Sequence, residues 1–134
     1  MKKKILFLCG HNAGRSQMAQ AYFNKYNTNE NFVGLSAGTN IADQVNSACI
    51  EAMKEEGVDM NDSSNFFPKV IDEDENYYRI YSMGCNVKSE LAIYDDLGID
   101  DPAGQEGENI KIIRNQVKEN IIAIIDDLNQ NATN

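Results

Sequence analysis

The sequence predicts an α/β domain of three layers, a sandwich built around a four-stranded parallel sheet. Short apolar runs alternate along the chain with segments that have a helical period. Strands that alternate with helices connect through right-handed crossovers, which makes the strands parallel within one sheet. The length of 134 residues suits one domain, so we expect a single domain over residues 1–134.

The first half of the chain contains two strand–helix units. The run 4–8 is almost continuously apolar, which is typical of a strand buried on both faces, and a helical pattern begins at Arg15. A second strand is predicted over 31–36 and a second helix over 43–56, with Gly57 as its C-cap. Each unit therefore supplies a strand and a helix that can cover it.

The second half is less regular. Residues 61–75 are polar and lack a clear period, and we interpret them as a connection that either frames a pocket entrance or merely links elements. Strands are predicted over 77–83 and, from a weaker pattern, over 91–94. An acidic loop at 100–104 leads into a final helix with an apolar core stripe, formed by Ile110, Ile113, Val117, Ile121, Ile124, Ile125 and Leu128. Ligand sites in parallel sheets lie at the carboxyl ends of the strands, so we expect a site at that rim.

Charge is distributed unevenly along the chain. The 12 basic and 21 acidic residues give a net charge of −9, yet no Asp or Glu precedes Glu30. Residues 1–29 therefore carry +5 and the other 105 residues carry −14. The acidic bulk argues against a nucleic-acid or anionic-membrane partner. The apolar run 5–9 is too short for a signal peptide or a membrane span, so we expect a soluble, cytoplasmic protein.

The three cysteines, Cys9, Cys49 and Cys85, fit no zinc-binding spacing, and His11 is the single histidine. We therefore expect no metal site and no bound cofactor. A cytoplasmic chain argues against structural disulfides, which leaves catalytic, redox-active or simply buried thiols. Cys49 lies on the apolar face of its helix and is predicted to pack in the core. Cys85 ends a buried strand, where a redox role and a packing role are both open.

The strongest chemical signal is the octapeptide from Cys9 to Ser16, which we call the anion loop. Its small residues let successive backbone N–H groups point inward and form an anion-binding nest, capped by the N-terminus of the following helix. The loop supplies a predicted oxyanion-binding set, namely Gly10, His11, Asn12, Ala13, Gly14, Arg15 and Ser16. His11 is expected to line the loop or its rim, and Asn12 to brace the loop through its side chain.

Two loop side chains and the nucleophile are predicted to act together. The planar guanidinium of Arg15 can hold two oxygens of a tetrahedral oxyanion at once. The same positive field stabilises a thiolate, so we expect the pKa of Cys9 to lie below the ~8.5 of a free cysteine. Ser16 can donate a hydrogen bond to that thiolate or to the oxyanion. Cys9 is thus placed for in-line attack on phosphorus or arsenic.

These motifs resemble those of the low-molecular-weight protein tyrosine phosphatase superfamily, and the resemblance covers nearly the whole chain. Within the superfamily, the chain is most similar to the thioredoxin-coupled type of arsenate reductase. The phosphatases usually carry a proline where this chain has Gln17, and pocket tyrosines where it has Ala103 and Gly104. The motifs that carry the resemblance are Cys-x5-Arg-Ser, Gln17-Met18-Ala19, Ser36-Ala37-Gly38, Ala52-Met53-Lys54, Cys85 and Asp100-Asp101-Pro102-Ala103-Gly104.

The resemblance implies a low-molecular-weight phosphatase fold and the activity of an arsenate reductase. Cys9 would attack arsenate, a small oxyanion like phosphate, while Asp101, directly before Pro102, protonates the departing oxygen. A second thiol, in the position of Cys85, would attack the adduct and leave a Cys9–Cys85 disulfide. The implied catalytic residues are Cys9, Arg15, Ser16, Cys85 and Asp101.

The chain departs from the family after Cys85. No third cysteine follows in residues 86–91, so the segment that relays the disulfide is missing. An external reductant is implied: thioredoxin, as a transient partner, reduces the disulfide directly, or a low-molecular-weight thiol resolves the adduct as a mixed-thiol intermediate. The alternatives are a phosphatase that hydrolyses phosphotyrosine or small phosphomonoesters through a cysteinyl-phosphate, and a non-catalytic oxyanion-binding or redox-sensing module.

Overall fold

The computed structural model describes residues 2–84 and 87–131. In chain order the elements are β1 (Lys3–Cys9), α1 (Arg15–Tyr26), β2 (Phe32–Gly38), α2 (Ser47–Lys54), β3 (Arg79–Ser82), β4 (Asp95–Asp96) and α3 (Glu108–Asn131). The four strands form one sheet in the order β2-β1-β3-β4, and each neighbouring pair is parallel. The α/β class with a four-stranded parallel sheet is therefore confirmed.

The central strand β1 is buried on both faces because its side chains alternate between two apolar clusters. Ile5, Phe7 and Cys9 belong to the larger cluster, to which α1, α2 and α3 all contribute. Leu6 and Leu8 belong to a smaller cluster on the opposite face. Among the described residues, the layer over that second face comes from irregular chain around 71–77 and 87–93.

Helix α3 holds the helical layer together by packing against both α1 and α2. All seven residues of its predicted apolar stripe are buried. Burying one such aliphatic side chain contributes about 1.5–3 kcal/mol to folding. Its exposed face is largely polar but includes Ile112 and Ile122. No helix within the described ranges is both long and apolar enough to cross a lipid bilayer.

The second helix is shorter than predicted and begins at Ser47, not at residue 43. Asn46 is its N-cap, with an extended backbone and a side-chain oxygen that accepts from the N–H groups of Ala48 and Cys49. Such a cap ends the helix on its N-terminal side because the cap residue itself is not helical. Gly57 has a φ of +74°, as a glycine after a helix end commonly does.

The fourth strand was predicted over 91–94 but lies at Asp95–Asp96. Leu91 and Ile93 do pack on the smaller apolar cluster, which explains the apolar pattern. Backbone pairing with β3 starts only at the Tyr94 N–H, which donates to Ile80 O at 2.7 Å. Side-chain burial and strand pairing are thus offset along the chain. The other boundary differences are small: β2 extends to Gly38, and β3 is confined to 79–82.

Candidate active site

The anion loop lies between β1 and α1 at the carboxyl edge of the sheet, and the segment 39–46 binds its outer side. Backbone N–H groups of this segment donate to carbonyl oxygens of the loop, from Asn40 to Gly10, from Ala42 to His11 and from Asn46 to Ala13, at 2.7–3.0 Å. Because these carbonyls are bound on the outside, the N–H groups of the loop are left for the inside, as an anion-binding nest requires. Helix α1 adds N–H groups without intrahelical partners, and no acidic residue lies in its first turn.

Two groups of the loop lie within hydrogen-bond distance of the Cys9 sulfur. The Asn12 N–H donates to Cys9 Sγ at 3.2 Å, and Ser16 Oγ lies 2.9 Å from the same sulfur. Ser16 Oγ accepts from Asn12 Nδ2 at 2.7 Å, and it can donate its own proton to Cys9 when Cys9 is a thiolate, which has no proton to give. Donors directed at a sulfur favour its ionised form. Cys9 is 4% exposed, so these bonds form with little competition from water.

Asn12 fixes the shape of the loop. It is fully buried and has a φ of +51°, in the left-handed region that asparagine tolerates better than most residues. Its side-chain oxygen accepts from Gln17 Nε2 at 3.1 Å and from the Lys69 N–H at 3.0 Å. These two donors orient the amide so that Nδ2 faces Ser16. Asn12 therefore braces the loop through its side chain, in the role expected from the sequence.

Two glycines allow the loop to pack tightly against its neighbours. A Cβ at Gly38, the last residue of β2, would lie 2.6 Å from Gly10 O, and a Cβ at Gly14 would lie 2.9 Å from Pro102 Cγ. Both distances are shorter than real Cβ contacts, so any larger residue would displace the loop. Gly14 thus lets Pro102, next to Asp101, pack directly on the start of α1.

The connection 61–75, whose role the sequence left open, binds Asn12 of the loop through the Lys69 N–H and also binds the adjoining α1 and β2. Gln17 Nε2 donates to Phe67 O at 2.9 Å, and the Gly38 N–H donates to Lys69 O at 2.8 Å. The Lys69 side chain donates to Ser36 Oγ on β2. Sequence reasoning missed this contribution because it depends on backbone atoms and on one lysine in a stretch without periodicity.

Arg15 reaches across the rim to the chain after β3. Its Nη1 donates to Ile99 O at 2.9 Å and to Met83 O at 3.3 Å, and its Nη2 lies 3.9 Å from Asp101 Oδ1. A pocket of about 570 Å³ opens here, with Gly10, His11 and Arg15 on one side and residues 98–101 on the other. The predicted anion loop and the predicted acid thus line one pocket.

The far side of this pocket is acidic. Asp96, Asp100 and Asp101 all line it, and the side chain of Asp101 is 66% exposed. Asp96 is bound at the strand end, where Oδ1 accepts from the Gly84 N–H at 2.9 Å. Asp101 Oδ1, the oxygen nearest Arg15, accepts from the Ala103 N–H at 2.9 Å.

Comparison with known proteins agrees with this geometry. The profile of the family described as low molecular weight phosphotyrosine protein phosphatase matches residues 4–134. The chain belongs to this family. Among curated proteins it is similar to an arsenate reductase of Brevibacillus brevis, at 36% identity over 87% of this chain and 89% of that protein. It is also similar to a glutaredoxin arsenate reductase of Synechocystis, at 29% identity over 92% of this chain and 96% of that protein.

A solved structure gives the same picture in three dimensions. The low molecular weight phosphatase fold of this chain superimposes with a TM-score of 0.79 on a structure described as an arsenate reductase in the phosphate binding state. The two chains are 30% identical, and the match covers 93% of this chain and 98% of the other. The fold class and the family predicted from the sequence are therefore confirmed.

Of the other two cysteines, only Cys49 lies within the described residues. Cys49 is fully buried in the larger apolar cluster, where packing was predicted. Burial raises the pKa of its thiol to about 12, and the Asp101 carboxylate acts in the same direction. Cys85, and with it the predicted Cys9–Cys85 disulfide, lies outside the described residues.

His11 lies at the rim, where its Nδ1 is 2.9 Å from Asn40 O. Its ring therefore helps to hold the segment 39–46 on the loop. Within residues 2–84 and 87–131, no three His, Cys, Asp or Glu side chains group closely enough to hold a metal ion.

Proposed function

We propose that this protein is an arsenate reductase that uses Cys9 as its nucleophile. The observation that carries the proposal is the pair of donors on Cys9 Sγ at the floor of a loop whose carbonyls are bound outside. The relatives support the choice of substrate, because two are named arsenate reductases, and the similar solved structure is described in a phosphate-binding state. Phosphate and arsenate are both tetrahedral oxyanions.

In the first step the Cys9 thiolate attacks arsenic. The loop N–H groups and Arg15 hold the three oxygens that remain, and Asp101 transfers its proton to the oxygen that leaves as water. A bond forms between Cys9 Sγ and As(V), and one As–O bond breaks. Asp101 suits this role because its carboxylate faces the pocket beside Arg15.

In the second step a thiol attacks Cys9 Sγ. A disulfide bond forms, the S–As bond breaks, and arsenic retains the electron pair, so that As(V) becomes As(III) and leaves as arsenite. Two thiols are oxidised in exchange. The attacking thiol is Cys85 or an external low-molecular-weight thiol, and an external reductant such as thioredoxin or glutaredoxin then restores the thiols. Cys49 is not assigned to this step because it is buried in the core.

The runner-up is a phosphatase that hydrolyses a phosphomonoester through a cysteinyl-phosphate. The family description favours it, and the first step would use the same Cys9, Arg15 and Asp101. It differs in its second step, where water attacks phosphorus and no reductant is consumed. The acidic residues on the far side of the pocket disfavour an anionic phosphoprotein partner more than a small inorganic anion.

The test is to follow NADPH oxidation with arsenate under two reducing systems. One contains thioredoxin and thioredoxin reductase, and the other contains glutathione, glutaredoxin and glutathione reductase. Oxidation that depends on arsenate and disappears in Cys9→Ser supports the proposal, and loss in Cys85→Ser as well assigns the second thiol to Cys85. Full activity of Cys85→Ser with glutathione assigns that step to the external thiol.

An aryl phosphate, supplied without reductant, provides the contrary outcome. Phosphate release that survives Cys85→Ser and is lost in Cys9→Ser, with no arsenate-dependent NADPH oxidation, would replace the reductase by the phosphatase. Cys49→Ser serves as the matched control, because it removes a thiol that we place in the core and should leave either activity in place.

A further inference from the structure

Lys69 brings a second cation to the anion loop, and its partners differ from those of Arg15. Its Nζ donates to Ser36 Oγ and to Phe67 O, both at 3.1 Å, and lies 4.9 Å from the centroid of the Phe67 ring. Its backbone N–H donates to Asn12 Oδ1, so the residue is attached to the loop itself. The ammonium group is therefore held in one place by contacts on several sides.

All of these contacts are neutral groups. Among the described residues, no carboxylate oxygen lies within 4.0 Å of Lys69 Nζ. The next group in this series of hydrogen bonds is also neutral. Ser36 Oγ, which accepts from Lys69, donates its own proton to the amide oxygen of Gln20 at 2.6 Å. Partial burial of an ammonium group without a neighbouring carboxylate costs desolvation free energy, and another negative charge nearby would offset this cost.

Cys9 supplies that charge when it is ionised. Burial lowers the pKa of Lys69 to about 8, and the interaction with Cys9 works against this effect by favouring the ammonium form. An electrostatic interaction between two groups is mutual. If the thiolate stabilises the ammonium, the ammonium stabilises the thiolate by the same free energy.

Arg15 is placed for a different task. Its guanidinium lies on the pocket side, beside the carbonyls of Met83 and Ile99 and within 3.9 Å of Asp101. Lys69 Nζ instead contacts Ser36 on β2 and the carbonyl of Phe67. The two cations therefore have different partners, since Arg15 binds the chain after β3 and Lys69 binds β2 and Phe67.

We propose that Lys69 is a positioning residue whose ammonium group stabilises the Cys9 thiolate from the β2 side of the loop, which leaves Arg15 to bind the oxyanion. The proposal rests on the proposed role of Cys9 as the nucleophile, although it concerns only the ionisation of that thiol. The other titratable groups around the loop are His11, Arg15, Cys49 and Asp101, and all of them stay in place in the test.

The test measures how fast iodoacetamide alkylates Cys9 between pH 4 and pH 9, with the modified peptide identified by mass spectrometry. In Lys69→Met, which keeps the apolar stem and removes the charge, we expect the midpoint to move to higher pH. Alkylation below the midpoint should slow about three- to tenfold. Lys69→Arg should restore most of the rate because it restores the charge.

Lys54→Met is the matched control, since it removes an equal charge from an exposed lysine on α2 that pairs with Glu51. A midpoint in Lys69→Met no different from that in Lys54→Met, in a protein that retains its far-ultraviolet spectrum and cooperative unfolding, overturns the proposal. A shift that Lys69→Arg fails to reverse also overturns it, because the effect would then come from packing.

A second measurement covers the case in which Lys69→Met does not fold. Lysines of the wild type and of Cys9→Ser are dimethylated with ¹³C-formaldehyde and a borane hydride donor, which preserves their charge, and are titrated by NMR. Mutual coupling predicts a lower pKa for Lys69 in Cys9→Ser than in the wild type, and an unchanged value contradicts it. Neither measurement uses arsenate, so a protein that fails to reduce arsenate can still show the coupling, and an active reductase can lack it.

Discussion

The two sides of the candidate active site are built in different ways. On the loop side, Asn12 and Ser16 are fully buried, Cys9 is nearly so, and hydrogen bonds connect the three. On the facing side, Asp101 is 66% exposed and approaches Arg15 at 3.9 Å. The groups that would hold and attack the anion are thus fixed by folding, whereas the proposed acid is held by few contacts.

This difference separates two kinds of substitution. A change on the loop side removes buried hydrogen bonds, so it should affect the stability of the fold and the chemistry together. A change on the facing side leaves the core untouched, so it should affect the chemistry alone. The following predictions test whether the two sides separate in this way.

The largest effect is expected for Asn12→Ala. It removes three side-chain hydrogen bonds and places alanine at a φ of +51°. We expect the free energy of unfolding to fall by about 2–4 kcal/mol, and arsenate turnover to fall by about 100-fold or more. Urea denaturation and the coupled NADPH assay measure the two quantities.

Asn12→Gly separates the two causes of this loss. Glycine accepts the left-handed backbone without strain, so it should recover about 1 kcal/mol of stability but none of the activity. An Asn12→Ala protein with wild-type stability would show that the loop is not fixed by this residue.

Asp101→Asn should affect activity and leave the fold unchanged. It removes the proton donor proposed for the departing oxygen, and we expect turnover to fall by about 10²- to 10⁴-fold. The free energy of unfolding should change by less than about 0.5 kcal/mol, because the side chain is exposed. Asp100→Asn is the control at a neighbouring carboxylate, and equal losses in both variants would remove the special role of Asp101.

Gly38→Ala tests the close packing of β2 on the loop without touching any ionisable group. The added Cβ would lie 2.6 Å from Gly10 O, and we expect a loss of about 1–3 kcal/mol in the free energy of unfolding. Gly10→Ala is the control, since a Cβ there meets no atom within 4 Å. If thermal unfolding of the two variants coincides, the tight contact does not constrain the loop.

The smallest effect is expected in the pH dependence of Lys69→Met. The pKa of Lys69 is lowered to about 8 from the ordinary value of 10.5, so between these values the folded protein binds fewer protons at this site than the unfolded chain. The stability of the wild type, relative to Lys69→Met, should therefore rise with pH above about pH 8. Urea denaturation at pH 7 and pH 9.5 checks the sign, and a relative stability that falls with pH would contradict it.

The sequence predicted the order of elements, the parallel sheet and the anion loop because each depends on local pattern. The apolar run of β1, the small residues after it and the helical period from Arg15 carry this information directly. The predicted start of α2 at residue 43 was wrong because the helical sequence pattern continues past Asn46, whose side chain caps the helix. The position of β4 was wrong because apolar burial at Leu91 and Ile93 does not coincide with backbone pairing.

The hydrogen bonds from Phe67 and Lys69 that support the loop and its neighbours could not be predicted, for a different reason. The Lys69 N–H binds Asn12, 57 residues away, and the Phe67 carbonyl binds Gln17, 50 residues away, while the Lys69 ammonium binds Ser36 on β2. A single sequence has no pattern that reports such a contact. Gly38 is a weak sequence indicator of this packing, because a glycine at the end of a strand often marks a position where another backbone segment approaches closely.

The segment 39–46 has a consequence for how relatives of this protein should be compared. It binds the outer side of the loop through main-chain N–H groups, which every residue except proline possesses. Apart from Asn46, whose side chain caps α2, its residues can therefore change between relatives, while its length and the absence of proline at the bonded positions must be kept. Selection on this segment would therefore appear as an absence of insertions and deletions. A conservation score based on residue identity alone would not detect it.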